Sequence, residues 1–532
     1  MRSALLGTIV VFVGAFTSCG RVQEESSPLK AYFDATDEKG RAAAIDRLCA
    51  SGAQALDIER LLRTGRAYAK NVPTGWQALE IEGLDGKRRP YHVYAPPEYD
   101  PGKKHPLVVF LHGAISRAEC PSPKEMESLR KDFEKDVPGF LIILPTGAKD
   151  ATWFDKVGTS NVLAQVDQVK RRYNVDEDRV FLWGFSDGGS GAWWMAMSRP
   201  TAWAGFMAYS ANVAAADLGP YQVYPRNLMN RPLLAASGGR EGSPAYNARF
   251  VEQWIDQMRE FGAGIDWQGF PTAGHDPKYL NEDRPRFDKF IGATKRQAKR
   301  DHIVWETTNV EVGRCDWLRI DEIKDVGNNH DMQDVNLLSF DGPPIPVDLL
   351  MNVDPKSKGP GLRVLRVVPD GPTATAGIEP NDVIVKIEGQ EVKSLQDVND
   401  IFIDKIFPKK HGDPISGELR RGDEIRQFTL TSEKTPRQPV LKRQQPAGAV
   451  EARAQGNRID VKARNVARYT ILVDREQFDL SKPIQLFTNG KESFQGIVEP
   501  DVRFLLTQFA ADNDRTTIYC ACIEVIIPPG RK

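Results

Sequence analysis

Four apolar runs constrain the first half of this chain more than any other feature. Leu107-Val108-Val109-Phe110-Leu111, Phe140-Leu141-Ile142-Ile143-Leu144, Val180-Phe181-Leu182-Trp183 and Leu233-Leu234-Ala235-Ala236 are continuous rather than alternating. A strand without a polar face is one that is covered on both sides. Between the runs, Val162 to Tyr173 and Phe250 to Phe261 carry helical spacing. From Trp76 to about Lys295 the alternation predicts an α/β domain, a mostly parallel sheet covered on both faces. Each run ends in a Gly- or His-containing loop, where such sheets hold ligands.

At 532 residues the chain exceeds one core and predicts about three or four domains. With 41% hydrophobic and 27% charged residues and a formal net charge of -1, the composition is that of a soluble globular protein. No segment carries the basic excess of a nucleic-acid surface. The local cluster from Arg437 to Arg443 sits among Pro and Gln and reads as a linker.

The N-terminus differs in kind. Arg2 precedes an uncharged apolar run from Ala4 to Phe16, followed by Thr17-Ser18-Cys19-Gly20, the pattern of an export signal over residues 1–19. The run is shorter than the roughly 20 residues of a membrane-spanning helix. Small residues followed at once by Cys resemble the bacterial lipobox, which implies lipidation of Cys19 and a membrane contact through that anchor. Phe16 departs from the usual Leu. The expected location is therefore outside the cytoplasm, as a cell-envelope lipoprotein (outer membrane or periplasm) or a secreted protein. Beyond Cys19 the cysteines are Cys49, Cys120, Cys315, Cys520 and Cys522, an odd set of which at least one stays free or pairs between chains. None has metal-ligand spacing, so no metal is expected.

Chemistry concentrates at three loops of the α/β region. Val180 to Trp183 runs into Gly184-Phe185-Ser186-Asp187-Gly188, a strand followed by G-x-S-x-G and a small-residue helix start. At a sharp strand-to-helix turn the Ser is held in strained dihedrals with its hydroxyl clear of the sheet, and its flanks must lack bulk. Leu107 to Leu111 runs into His112-Gly113-Ala114. In α/β-hydrolases such a loop supplies one N-H for an oxyanion and the residue after the nucleophile another, which assigns Ala114 and Asp187, with His112 orienting the loop. The order of that fold, Ser then acid then His, leaves His275 in Pro271-Thr272-Ala273-Gly274-His275-Asp276 as base for Ser186. For the acid, Glu241 follows Gly238-Gly239 at a sheet end and is preferred, with Asp217 as runner-up.

With these motifs, the span from about Arg88 to Phe290 resembles the exported polyhydroxybutyrate-depolymerase-like and feruloyl-esterase-like hydrolases. The resemblance implies carboxylic ester hydrolysis through an acyl-enzyme, without a cofactor. The common elbow of those relatives has Asn after the Ser; Asp187 here adds a negative charge. Trp153 matches an aromatic those enzymes place near the cleft, and a core position suits it equally.

A second motif lies downstream. Leu362 to Pro369 leads into Asp370-Gly371-Pro372-Thr373-Ala374-Thr375-Ala376-Gly377-Ile378, then Asn381-Asp382-Val383-Ile384 and Ile387-Glu388-Gly389-Gln390. This resembles the PDZ domains of bacterial envelope proteases, which implies a groove that captures an extended peptide, often by its C-terminal carboxylate. Ile345 and Val347 are the expected carboxylate-loop residues, although Pro346 between them removes an N-H donor. Leu395, Val398 and Phe402 are expected to line the groove helix.

The expected organisation is then a signal (1–19), a small helical segment (29–70) packed on the domain after it, an α/β-hydrolase domain (76–298), a β-rich segment (301–335), a PDZ-like domain (340–433), a linker (437–449) and a β-rich C-terminal domain (450–532). The PDZ-like unit is inserted into, or placed between, the halves of a β-rich domain. Three functions compete: an esterase acting on a small ester, a serine peptidase fed with protein tails by the PDZ-like unit, and a non-catalytic envelope adaptor.

Overall fold

In the computed structural model the four apolar runs form the centre of one eight-stranded sheet. Residues 29–528 are described, except 132, 242, 244, 325–331, 333–334, 340–352, 355–356, 358, 407, 411, 432–438 and 442. The export signal and Cys19 lie outside the described residues. The strands are β1 (Gly75–Glu82), β2 (Arg88–Ala95), β3 (His105–Leu111), β4 (Leu141–Pro145), β5 (Val175–Phe185), β6 (Gly205–Tyr209), β7 (Leu233–Gly238) and β8 (Ile265–Phe270). Their order is β1-β2-β4-β3-β5-β6-β7-β8, antiparallel from β1 to β4 and parallel from β4 onward.

Both faces are covered, which is why the runs show no alternation. Leu107, Val109, Leu141, Ile143, Val180 and Leu182 share one core with the helices Lys156–Arg172 and Asp187–Ser198. Val108, Ile142, Leu144, Phe181 and Trp183 share the other with the helix Leu280–Ala293. The first of these helices starts six residues before the expected Val162 because Asp155 caps it, its carboxylate accepting from Gly158 N at 2.7 Å. The chain leaves β3 toward β4 on one side, and β5 returns to the other side of β3. The loops after β3 and β5 therefore flank the reversal point, where open α/β sheets bind ligands.

The β-rich parts before and after the PDZ segment are one unit. His302–Thr307 pairs antiparallel with Gly448–Gln455, and Leu318–Ile323 with Val466–Asp474. The PDZ segment is thus an insertion between paired strands. Its own sheet runs Leu362–Arg363, Val383–Ile387, Pro414–Arg421, Glu424–Thr431. Asn381 takes φ 74°, and Glu388 and Gly389 take 49° and 74° in the tight hairpin joining Ile387 to Gln390.

The N-terminal helices depart from expectation. Leu29, Tyr32, Ile45, Leu48, Ile58 and Leu62 do not join the cores of the α/β domain that follows them; they join the core of the C-terminal β-domain. There they meet Leu505, Leu506 and Phe509 of the helix Val502–Asp512, and Tyr32 Oη donates to Leu506 O at 2.8 Å. Periodicity marks an apolar face but carries no information about a partner more than 400 residues away. Cys49, Cys120, Cys315, Cys520 and Cys522 are all free thiols. Among the described residues no helix is long and apolar enough to cross a membrane.

Candidate active site

Ser186 follows β5 directly and occupies the N-cap position of the helix Asp187–Ser198 with φ 59° and ψ -125°. Positive φ on a non-glycine residue is strained, and the surroundings enforce it. Ser186 N donates to Tyr209 O at 3.0 Å on β6, and Ser190 N closes the first helical turn on Ser186 O at 3.0 Å. A Cβ on Gly184 would lie 2.1 Å from Gly188 C, and one on Gly188 would lie 1.8 Å from Leu111 O. Only glycine lets strand, turn and helix approach this closely.

His275 lies in the loop after β8, and Glu241 in the loop after β7. The loops are stitched together by Gly239 N to Phe270 O at 2.7 Å and Arg240 N to Ala273 O at 2.8 Å. His275 Nε2 lies 2.9 Å from Ser186 Oγ, and His275 Nδ1 lies 2.6 Å from Glu241 Oε2. The carboxylate can only accept, so Nδ1 carries the proton and Nε2 accepts from the Ser186 hydroxyl. The hydrogen bond to Glu241 raises the proton affinity of His275 above the ordinary imidazole level. Partial burial opposes that rise, and the charges of Glu241 and Asp187 add to it. The imidazole is 41% exposed while the Glu241 side chain is 1% exposed, so the dyad reaches solvent only at its reacting end. Asp217 takes no part: it sits in the 3-10 turn Val213–Leu218, and both ring nitrogens of His275 are already engaged.

Glu241 is supported by residues distant from it in the sequence. Ser210 Oγ donates to Glu241 Oε1 at 2.5 Å and lies 2.7 Å from Tyr279 Oη. Ser210 follows β6 with φ 44° and its N donates to Ala236 O at 2.8 Å. Tyr246 sets its ring edge-on to His275 at 5.3 Å, and Phe185 lies 5.2 Å away on a tilt. Only the placement of Ser210 just beyond a strand end hinted at a site role.

Ala114 and Asp187, the expected oxyanion donors, lie beside the nucleophile. Ala114 has φ 57°, and its N-H donates to no backbone carbonyl among the described residues. Asp187 is the first residue of its helix, so its N-H is one of those a helix leaves free. A Cβ on Gly113 would stand 2.8 Å from Ser186 Cβ. His112 accepts from Gly147 N through Nε2 at 3.0 Å, so its Nδ1 holds the proton and donates to Gly113 O at 2.7 Å. Burial keeps His112 neutral by lowering its proton affinity. Trp153, 1% exposed, is a core residue, and its Nε1 donates to His112 O at 2.8 Å.

Ile345 and Val347 of the expected peptide groove lie outside the described residues. Val398 and Phe402 are buried in the PDZ core rather than lining an open wall, and Leu395 packs half-buried against it. The groove expectation misplaced Phe402 in particular. Its ring stacks on Phe250 of the hydrolase helix Ala248–Glu260, with centroids 6.1 Å apart and planes at 4°.

Residues 84–249 match the family model described as "Putative esterase", and residues 347–431 match the PDZ domain model. The bifunctional acetylxylan esterase/xylanase XynS20E of Neocallimastix patriciarum is 34% identical over 107 residues, 20% of this chain and 15% of that protein. The chain thus spans a small part of that curated relative. Among solved structures, a thermostable esterase shares 17% identity over 42% of this chain and 63% of that one, with a TM-score of 0.35. A ferulic acid esterase shares 16% over 41% and 98%, with a TM-score of 0.32. The chain therefore carries an esterase-family domain of the α/β-hydrolase fold and a PDZ domain inserted in its strand-rich C-terminal region.

Proposed function

We propose that this protein is a serine hydrolase that cleaves carboxylic esters through an acyl-enzyme on Ser186. The observation that carries this is the hydrogen-bonded series Ser186 Oγ, His275, Glu241 at 2.9 and 2.6 Å. Ser186 Oγ attacks the ester carbonyl while His275 Nε2 takes its proton. Buried Glu241 holds the Nδ1-H tautomer and stabilises the imidazolium. The N-H groups of Ala114 and Asp187 receive the oxyanion. Collapse expels the alcohol oxygen, which takes the proton from Nε2, and water repeats the sequence to free the acid and restore Ser186. None of these steps calls on a cofactor.

The PDZ domain favours a second substrate class, peptides or protein tails held near the site. The first twenty residues support export and a lipid anchor on Cys19, which metabolic labelling with a fatty acid tests, incorporation being lost in Cys19→Ser.

For the chemistry, a fluorophosphonate probe should label the wild type, whereas Ser186→Ala and His275→Ala should lose labelling and about six orders of magnitude in turnover. A folded wild type that resists the probe would sink the hydrolase reading. Turnover of p-nitrophenyl acyl esters with none of aminoacyl p-nitroanilides marks an esterase; the reverse marks a peptidase.

A further inference from the structure

Two consecutive peptide planes meet at Ala114, and each is pinned by a different side chain. The plane before it contains Gly113 O and the Ala114 N-H; His112 Nδ1 donates to that oxygen at 2.7 Å, which turns the N-H the opposite way. The plane after it contains the Ile115 N-H, which donates to Asp187 Oδ2 at 3.1 Å. The second bond joins residues 72 apart and ties the loop after β3 to the turn after β5. Together they fix the two dihedrals of Ala114, whose φ of 57° a non-glycine residue rarely holds without restraint.

The same carboxylate also adds to the negative charge that Glu241 places beside His275. The titratable groups facing His275 are Glu241 and Tyr246 from the loop after β7 and Asp187 from the elbow. Tyr246 is kept neutral by burial, which raises its proton affinity. The groups whose charge acts on His275 are therefore both negative.

Resting on the proposed oxyanion role of Ala114, we propose that Asp187 is a positioning and selectivity residue: its carboxylate holds the Ala114 N-H in place through Ile115, and its charge turns away acyl groups that carry a carboxylate. The substrates favoured are esters with neutral or cationic acyl groups. The free acid formed by hydrolysis, being an anion, is expelled by the same charge. No bond to Asp187 forms or breaks.

The test compares full-length wild type, Asp187→Asn and Asp187→Ala on p-nitrophenyl acetate and p-nitrophenyl hemisuccinate, with fluorophosphonate labelling of each. Asp187→Ala should lower kcat about tenfold with little change in KM, because the donor is set only in the transition state. Asp187→Asn, whose amide oxygen still accepts from Ile115 N, should recover most of that loss. In both variants His275 loses a charge that favours its protonated form, so the acid limb of the pH profile of kcat/KM should move to lower pH. The hemisuccinate-to-acetate ratio of kcat/KM should rise about tenfold in both. Equal kcat in labelled wild type and Asp187→Ala would overturn the positioning role, and an unchanged ratio would overturn the selectivity role. A wild type that resists the probe would instead overturn the hydrolase reading and this proposal with it.

Discussion

The hydrolase domain touches its two neighbours in opposite ways. Against the C-terminal β-domain it buries charge. Arg231 forms a two-pronged pair with Asp316, both side chains at most 2% exposed, and Arg515 does the same with Glu177. Arg296 Nη1 meets Asp514 Oδ2 at 2.5 Å. Two asparagines pose as a neighbouring strand: Asn227 Nδ2 donates to Glu306 O at 2.9 Å while Glu306 N donates back to Asn227 Oδ1 at 2.9 Å, and Asn230 Nδ2 donates to Val304 O at 2.6 Å. Among the described residues the hydrolase meets the PDZ domain through the Phe250–Phe402 stack, a bond from Arg249 Nη1 to Ile403 O at 3.1 Å, and Arg240 between Asp400 and Asp404 at 3.2 and 3.0 Å. Those last three side chains are 37 to 40% exposed. Charge taken out of water fixes two bodies in one pose, because separating or halving a pair strands an ion. Charge left in water orients without holding. Hydrolase and C-terminal domain are therefore joined through buried charge, and the PDZ domain, among the described residues, through exposed charge and the Phe250–Phe402 stack beside the loop that carries Glu241.

The largest effect should come from breaking the buried side. Asp316→Ala leaves Arg231 without its partner in the interior and should cost about 3–5 kcal/mol, read as a lower denaturation midpoint. A loss under about 1 kcal/mol would mean that water reaches this interface and that the contrast between the two contacts is false.

The features legible in the sequence were those whose cause is local or ordered along the chain. The elbow around Ser186 is written in five adjacent residues, and chain order singled out His275 and favoured Glu241. Continuous apolar runs named the central strands because both sheet faces are covered. What stayed hidden depends on distant meetings. Ser210 and Tyr279 support Glu241 across 31 and 69 residues of separation from Glu241 and from one another, and neither residue type is diagnostic. Trp153 suits cleft and core alike by sequence, and only the bond of its indole to His112 O places it in the core. Phe402 looked like a groove residue because helical spacing marks an apolar face without saying whether its partner is a ligand or the hydrolase helix. The negative charge of Asp187 was visible; its grip on Ile115 was not.

The remaining two tests probe the lightly held side. Phe250 is 4% exposed and sits in the PDZ core cluster although it belongs to a hydrolase helix. Phe250→Ala should cost about 3 kcal/mol, and the loss should fall on PDZ docking. Protease cleavage between the domains should accelerate while fluorophosphonate labelling of Ser186 persists. If labelling and docking fail together, the PDZ domain is as integral as the β-domain.

Arg240→Ala should have the smallest effect on stability, under about 1 kcal/mol, because its partners are solvent-exposed and screened by salt. Its effect on turnover should be larger than that figure suggests. Arg240 precedes Glu241 directly, and its N donates to Ala273 O two residues before His275, so the backbone under the acid and the base is the backbone that the PDZ helix grips. Releasing the guanidinium from Asp400 and Asp404 leaves that main-chain bond in place but frees the loop on its outer side. A fall of a few-fold in kcat is expected, matched in wild type by raising ionic strength and absent from the variant under the same change. If salt slows both equally, the contact only seats the PDZ domain and the acid loop stands without it.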